Sequence, residues 1–329
     1  MFISLTAAAD DNGRRLDRIL RKALPDMPLS AIHRLLRKGG ILVNGKAASA
    51  DYRVHSGQTI SLCSLLPTPH FPLSVPHSPT PYSLFPDMIL FEGSGLLVLN
   101  KPADLPVHGK GSLEDLVRLY LEPKLPPSLS FKPGPLHRLD RPSSGVIAFS
   151  TSLKGARFFS EKMRNRMIKK QYLALVNGEI KNAETWEDEL VRDERRKKTF
   201  RARSGAAMHD GTKSALTRVS PLLGNGACTL IMAEIETGRT HQIRAQAASR
   251  GHPLLGDIKY GGDRIEPGAI DLDREFLLHA WRMNFPENTD NNQYEDLPWR
   301  IEAPLPEKFL EKIQKIFGKG IITDLLSQL

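Results

Sequence analysis

Residues 136–145, LHRLDRPSSG, place one carboxylate, Asp140, among His137, Arg138 and Arg141, ahead of a run of small turn-forming residues. Nearby positive charge favours the ionised carboxylate. Such a group is a nucleophile, a general base or one half of an ion pair, and these ten residues leave the three open. A second cluster, ETGRTHQIRAQ at 236–246, sets Arg239, His241 and Arg244 around the first turn of a helix for which Thr240 is the expected cap. That arrangement suits a phosphate or a carboxylate; a capped surface helix with ordinary charges is the competing reading.

Other chemistries fit the residues less well. VHGKGS at 107–112 ends like a phosphate loop, but Asp104 stands where the first glycine of that loop is required. PSSGV lacks the frame of a nucleophile elbow, so Ser143 and Ser144 read as turn residues. His137, Asp140 and His241 lack the spacing of a metal-binding motif, and Cys63 and Cys228 stand far apart with no CxxC pair. Neither a metal nor a disulfide framework is expected.

Clusters a hundred residues apart meet only if strands and helices carry them together. GLLVLN (95–100), GVIAFS (145–150), QYLALV (171–176) and CTLIMAEI (228–235) read as strands, with helices over 152–168 and 240–249. The expectation is an α+β domain over 88–329 built on a mixed, largely antiparallel sheet. Residues 64–87 are crowded with proline and read as a linker.

Residues 1–63 read as a small basic domain. In RRLDRILRKAL, Leu16, Ile19, Leu20, Ala23 and Leu24 fall at helical spacing with Arg15 and Arg18 on other faces. A second helix, capped at Ser30, buries Ile32, Leu35 and Leu36, exposes Arg34, Arg37 and Lys38 and stops at Gly39-Gly40; a hairpin then turns at Asn44-Gly45. Residues 1–60 hold ten Lys and Arg against five Asp, more than half of the chain's net +9. A solvated face and a polyanion-binding face both fit that excess. The basic run VRDERRKKTFRAR at 191–203 reads as a polar loop, either solvated or in contact with a nucleic-acid backbone. Acids precede any long apolar run and no eighteen-residue apolar stretch occurs, so neither a signal peptide nor a membrane span is expected, and two cysteines fit a reducing cytoplasm.

The run RLDRILRKALPDMPLSAIHRLLRKGGILVNGKAA (15–48) resembles an S4-type RNA-binding domain. LLVLNKPADLPVHG (96–109), HRLDRPSSG (137–145), KKQYLALVNG (169–178) and TGRTHQIRAQAASRGHPLLGDIKYG (237–261) resemble the successive motifs of the RluA-type pseudouridine synthases. With the basic N-terminal domain, the arrangement most resembles the RluC-type enzymes that act on large-subunit ribosomal RNA. The resemblance implies Asp140 as the essential carboxylate, Tyr172 against the target base, Arg244 as the partner of Asp140, and Arg138 in the gap left by the flipped uridine. Contacts to RNA are expected from Arg138, Arg15, Arg18, Arg34, Arg37, Lys38, Arg239 and His241. It also implies RNA as the partner, large-subunit rRNA above tRNA, no cofactor, no metal, no membrane, a monomer and a cytoplasmic setting. Whether Asp140 attacks sugar or base stays open. Pro142-Ser143, Asp104 and Ala245-Gln246 depart from the family pattern, which touches RNA fit at Asp104 and Gln246 more than the three central residues. A binding-only assembly factor and a metal-dependent hydrolase are the competing classes.

Overall fold

The computed structural model describes residues 2–63, 85–125, 128–202, 211–262, 276–287 and 294–318, with 320, 321 and 325. The N-terminal part runs β1 (Phe2–Thr6), β2 (Arg14–Arg15), α1 (Leu16–Ala23), α2 (Leu29–Arg37), β3 (Ile41–Val43), β4 (Lys46–Ala47), β5 (Arg53–Val54) and β6 (Thr59–Cys63). Its helices pack Leu16, Ile19, Leu20, Ile32 and Leu36 against Ile41, Val54 and Ile60. Two local expectations are corrected. Arg14 and Arg15 pair as a strand with Arg53 and Val54 rather than opening the helix. Ser30 lies inside α2, which starts after Pro28, a residue whose fixed φ suits a helix start. The hairpin turns at Asn44 and Gly45, both at positive φ, as a two-residue turn of the right twist requires.

The larger part follows as β7 (Ile89–Gly93), β8 (Leu96–Lys101), α3 (Leu113–Leu121), β9 (Gly134–Pro135), β10 (Ser144–Ser150), α4 (Leu153–Arg164) and β11 (Lys169–Asn177). Then come β12 (Glu184–Asp193), β13 (Lys198–Arg201), β14 (Lys213–Gly224), β15 (Cys228–Ile235), α5 (Gln242–Ser249), β16 (Leu278–Asn284), β17 (Arg300–Glu302) and α6 (Glu307–Phe317). One sheet runs in the order β13-β12-β14-β15-β11-β16-β10-β8-β7, with β9 on β10 and β17 on β16. Its described pairs are antiparallel except β10 with β16. The expected mixed, largely antiparallel sheet is what forms.

Central strands are buried on both faces and so read as unbroken apolar runs; all seven residues of β10 are buried. On β11, Tyr172, Ala174 and Val176 enter the core with Val117 of α3 and Ile243 of α5. Leu173 and Leu175 face Phe309 and Ile313 of α6 on the other side. The described part of the basic run, 191–202, is no loop: β12 and β13 form a hairpin, and Arg201 pairs with Asp188, whose side chain is fully buried. The eye misses it because alternation on an edge hairpin buries only every second residue.

Residues 64–84 of the proline-rich segment lie outside the described residues, while Phe85 is fully buried against the larger sheet. The two parts also touch. Asp11 is fully buried and accepts hydrogen bonds from the N–H groups of Ala8 (2.9 Å) and Leu129 (3.0 Å) and the hydroxyls of Ser128 (3.2 Å) and Ser130. Arg14 donates to the Ser130 carbonyl, the Leu153 N–H donates to Asp10, and Leu129 packs on the N-terminal core. Among the described residues, no helix is long and apolar enough to cross a membrane.

Candidate active site

The Asp140 loop is aimed by the parallel seam of the sheet. Gly145, second residue of β10, lies opposite Ala280 of β16 at φ +106°, and a Cβ there would lie 2.1 Å from the Ala280 carbonyl oxygen. Glycine is therefore required where the strand leaves the loop. Lys101, fully buried at the end of β8, ties the loop from below by donating to the carbonyls of Pro102 (2.8 Å), Leu105 (2.8 Å) and Arg141 (3.0 Å). Burial lowers this ammonium to about 8. Asp104 sits at φ +64°, a backbone region that favours glycine, and its carbonyl accepts from Arg141 Nε at 3.0 Å.

The second cluster arrives on α5. His241, not Thr240, occupies the cap position, in left-handed backbone (φ +54°), and Arg244 follows in the first turn, buried. Arg244 Nη1 donates to Asp140 Oδ2 at 2.9 Å. Its other edge makes a bidentate pair with Asp257, Nε to Oδ2 at 2.6 Å and Nη2 to Oδ1 at 2.9 Å, while Phe276 and Tyr260 cover the guanidinium plane at 4.3 and 4.9 Å. Burial opposes the guanidinium charge, but the Asp257 and Asp140 carboxylates outweigh it and raise the group above its ordinary value. Asp140 is thus held in one orientation by a cation that is itself locked.

His241 Nε2 lies 3.8 Å from Asp140 Oδ1, and its Nδ1 is 2.9 Å from the Tyr260 hydroxyl, which accepts the Thr199 N–H at 2.8 Å. Burial lowers His241 to about 4 against the pull of Asp140, so the ring is neutral near pH 7. In the tautomer in which the Tyr260 hydroxyl donates to Nδ1, the Nε2 proton faces Asp140. Tyr172 stands in the same cleft from β11, and burial, then the charge of Asp140, raises its phenol well above the ordinary value.

The immediate sequence neighbours of Asp140 are not its cations. His137 accepts the Ala148 N–H at Nε2 (3.0 Å) and burial holds it near 3, so it is neutral. Arg138 is exposed at the rim, and Arg141 turns to the Asp104 carbonyl. The charge that faces Asp140 comes from a residue 104 positions away. Arg239 is exposed and donates to the Ser214 carbonyl. Arg18, Arg34, Arg37 and Lys38 are exposed on the N-terminal helices, whereas Arg15 is half-buried and paired with Asp17 at 2.8 Å. Gln246, where the sequence departs from the family pattern, is fully buried, accepting from Thr217 and donating to Trp186 and Asp188, so any effect on RNA fit passes through the packing of α5.

Asp257 and Lys101 went unrecognised in the sequence. Asp257 lies in GDIKYG, thirteen residues past Arg244; bidentate spacing to an arginine has no linear signature. Asp140, Tyr172, His241 and Arg244 line a cleft of about 290 Å³ together with Leu136, Met163, Lys170 and Leu278, a volume on the scale of a single nucleoside. Among the described residues no cluster has the makeup of a metal site. An oriented carboxylate in a cleft of this size, walled by Leu136, Met163, Tyr172 and Leu278, can perform covalent or general-base chemistry at a base or its sugar.

Residues 95–249 match the family model for RNA pseudouridylate synthase and residues 14–60 match the S4 domain. The ribosomal large subunit pseudouridine synthase C of Vibrio vulnificus is 30% identical over 316 residues, covering 93% of this chain and 94% of that one. Its Escherichia coli namesake is 31% identical over 315 residues, covering 94% of each. Human RNA pseudouridylate synthase domain containing 4 superposes with a TM-score of 0.56 at 21% identity, over 71% of this chain and 95% of that one. Human RNA pseudouridylate synthase domain containing 1 gives 0.51 at 22% identity, over 68% and 85%. With a fold, a one-base cleft and full-length relatives in agreement, the chain belongs to the RNA pseudouridylate synthase family, as a pseudouridine synthase carrying an N-terminal S4 domain.

Proposed function

We propose that this enzyme isomerises specific uridines of large-subunit ribosomal RNA, as a cytoplasmic monomer, with Asp140 as the reacting carboxylate. The observation that carries the reading is the 2.9 Å contact that fixes Asp140 against Arg244 in a cleft of nucleoside size beside Tyr172. The rRNA substrate is inferred from relatives named for it that match over more than nine-tenths of the chain.

In the reaction the bond from C1′ to uracil N1 breaks, the base rotates, and a bond from C1′ to C5 forms while the C5 hydrogen leaves as a proton and N1 gains one. Electrons balance without an oxidant, so no cofactor is called for. The cleft has room for one base, so the uridine leaves its stack to reach Asp140, at the ordinary cost of unstacking. Tyr172 supplies a flat apolar wall for the base. Its raised phenol keeps the hydroxyl protonated. Arg138, exposed at the rim, fills the space the uridine vacates in this reading, and Arg18, Arg34, Arg37 and Lys38 offer exposed charge for backbone phosphates. Residues 1–63 and 88–329 act as two units joined through 64–87, and their docking by way of Asp11 fixes where the basic helices meet the RNA.

The test is pseudouridine mapping of ribosomal and transfer RNA from cells with and without the gene, complemented by wild type or Asp140→Asn. Large-subunit positions that disappear without the gene and return only with wild type are the expected result. Sites confined to tRNA, or full restoration by Asp140→Asn, contradict it.

A further inference from the structure

The mechanism above leaves one buried cation of the cleft unused. Lys170 is 3% exposed, and among the described residues its ammonium makes no hydrogen bond or ion pair. It stands two residues before Tyr172 on the same face of β11, its backbone fixed by Ile235 on β15 and Met283 on β16. Side chains two apart on one strand face are separated by roughly 7 Å, about the breadth of a pyrimidine ring. Gly238 borders the ammonium: a Cβ there would come within 3.4 Å of Nζ. His137, neutral, is the near titratable neighbour. Burial alone lowers Lys170, to about 8, and no carboxylate compensates it.

A desolvated ammonium without a partner is costly to keep. The neighbouring Lys101, with three carbonyl acceptors, shows how this fold satisfies such a group when it is structural. Lys170 instead lines the cleft beside Leu136 and Met163. Phosphates of the RNA meet exposed cations such as Arg138 at the rim; what reaches the interior is the base.

Building on the assignment of the cleft to uridine, we propose that the Lys170 ammonium donates to a carbonyl oxygen of the flipped uracil, stabilising the negative charge that the base acquires during the reaction. Uracil offers an acceptor at either edge, O2 or O4; contact at O4 also excludes cytosine, which turns an amine there, whereas O2 is common to both bases. The charge argument holds for either route open to Asp140. Cleavage of the glycosidic bond leaves electrons on N1 that spread to the carbonyls, and addition to the base produces an enolate at one of them. A donor aimed at that oxygen binds the charged species more tightly than the ground state, which accelerates the step.

The experiment uses full-length enzyme and large-subunit rRNA transcribed with [5-³H]uridine, reading tritium release in single turnover at saturating enzyme, with RNA affinity measured separately. Lys170→Met should slow the step on the order of 10²-fold and leave affinity within about threefold. The wild-type rate should fall as pH rises through about 8 and the variant should lack that limb; Lys170→Arg should recover part of the rate. Transcripts containing 2-thiouridine or 4-thiouridine, whose sulfur accepts weakly, should slow wild type in one case and add no loss to Lys170→Met. Circular dichroism checks folding, with Lys170→Gln as a second neutral variant. A Lys170→Met rate near wild type overturns the proposal. So does a loss confined to affinity with a shallower salt dependence, which would mark a phosphate contact. Failure of wild type to release tritium from any ribosomal RNA, or release by Asp140→Asn, would instead refute the assignment of the cleft itself.

Discussion

Replacing Arg244 with methionine separates its two partners. The Arg244 side chain is 6% exposed, and it supplies both charged contacts of Asp257, whose side chain is 1% exposed, besides the 2.9 Å bond to Asp140. Breaking a buried ion pair by removing one member costs about 3–5 kcal/mol, because the other charge is stranded. Asp140, at 13% exposure, keeps some water and adds less. Arg244→Met should therefore lose about 3–5 kcal/mol in urea unfolding followed by circular dichroism. Adding Asp257→Leu removes the stranded carboxylate, and since an apolar replacement of a buried pair is close to neutral, most of that loss should return. Activity should not return with it. Asp140 still lacks its orienting donor, and an absent donor of this kind costs on the order of 10²-fold in rate. Tritium release in single turnover reads that outcome. A double variant that regains activity together with stability would show that Arg244 serves the fold alone; an Arg244→Met loss below about 1 kcal/mol would refute the buried-pair reasoning.

Lys170 carries a stability consequence of its own. Its folded value, about 8, lies below the ordinary 10.5, so the unfolded chain binds more protons between those limits and stability rises with pH across that window. Lys170→Met should be more stable than wild type at pH 7, by on the order of 3 kcal/mol at most, and the gap should narrow as pH rises from about 8 toward 10.5 in paired urea titrations; a constant gap would show that the ammonium is solvated. Because burial keeps His241 near 4, single-turnover rates should show no histidine titration between pH 6 and 7.5; an inflection near 6.5 that vanishes in His241→Gln would contradict this. Asp11→Ala strands the donors of Ser128, Leu129 and Ser130, and should cost about 2–3 kcal/mol in urea unfolding; a loss below about 1 kcal/mol would mean that these donors find other partners. Deleting 1–63 should weaken rRNA binding and flatten its salt dependence, and because it uncovers Leu129 the remainder should also melt earlier than the full chain; an unchanged salt slope would leave the basic helices as a solvated face.

The linear pattern already contained the strands that build the sheet, because central strands must be apolar on both faces and β8, β10, β11 and β15 are written that way. It also marked Asp140, Tyr172 and Arg244, whose types recur in recognisable local contexts. What it could not supply was who faces whom. Asp140 is flanked in sequence by His137 and Arg141, yet the first is neutralised by burial and the second turns to a carbonyl, while the working cation arrives on α5. Lys169 and Lys170 are indistinguishable as letters; the two-residue period of a strand exposes one and buries the other. Gln246 looks like a surface residue of a basic helix until the sheet closes over it, and Asp257 looks like part of a turn until Arg244 reaches it across thirteen residues. Residue type and short-range period are local properties and survive in the sequence, whereas burial and pairing depend on contacts between segments brought together only by folding, and it is burial and pairing that decide which of the charges here are working charges.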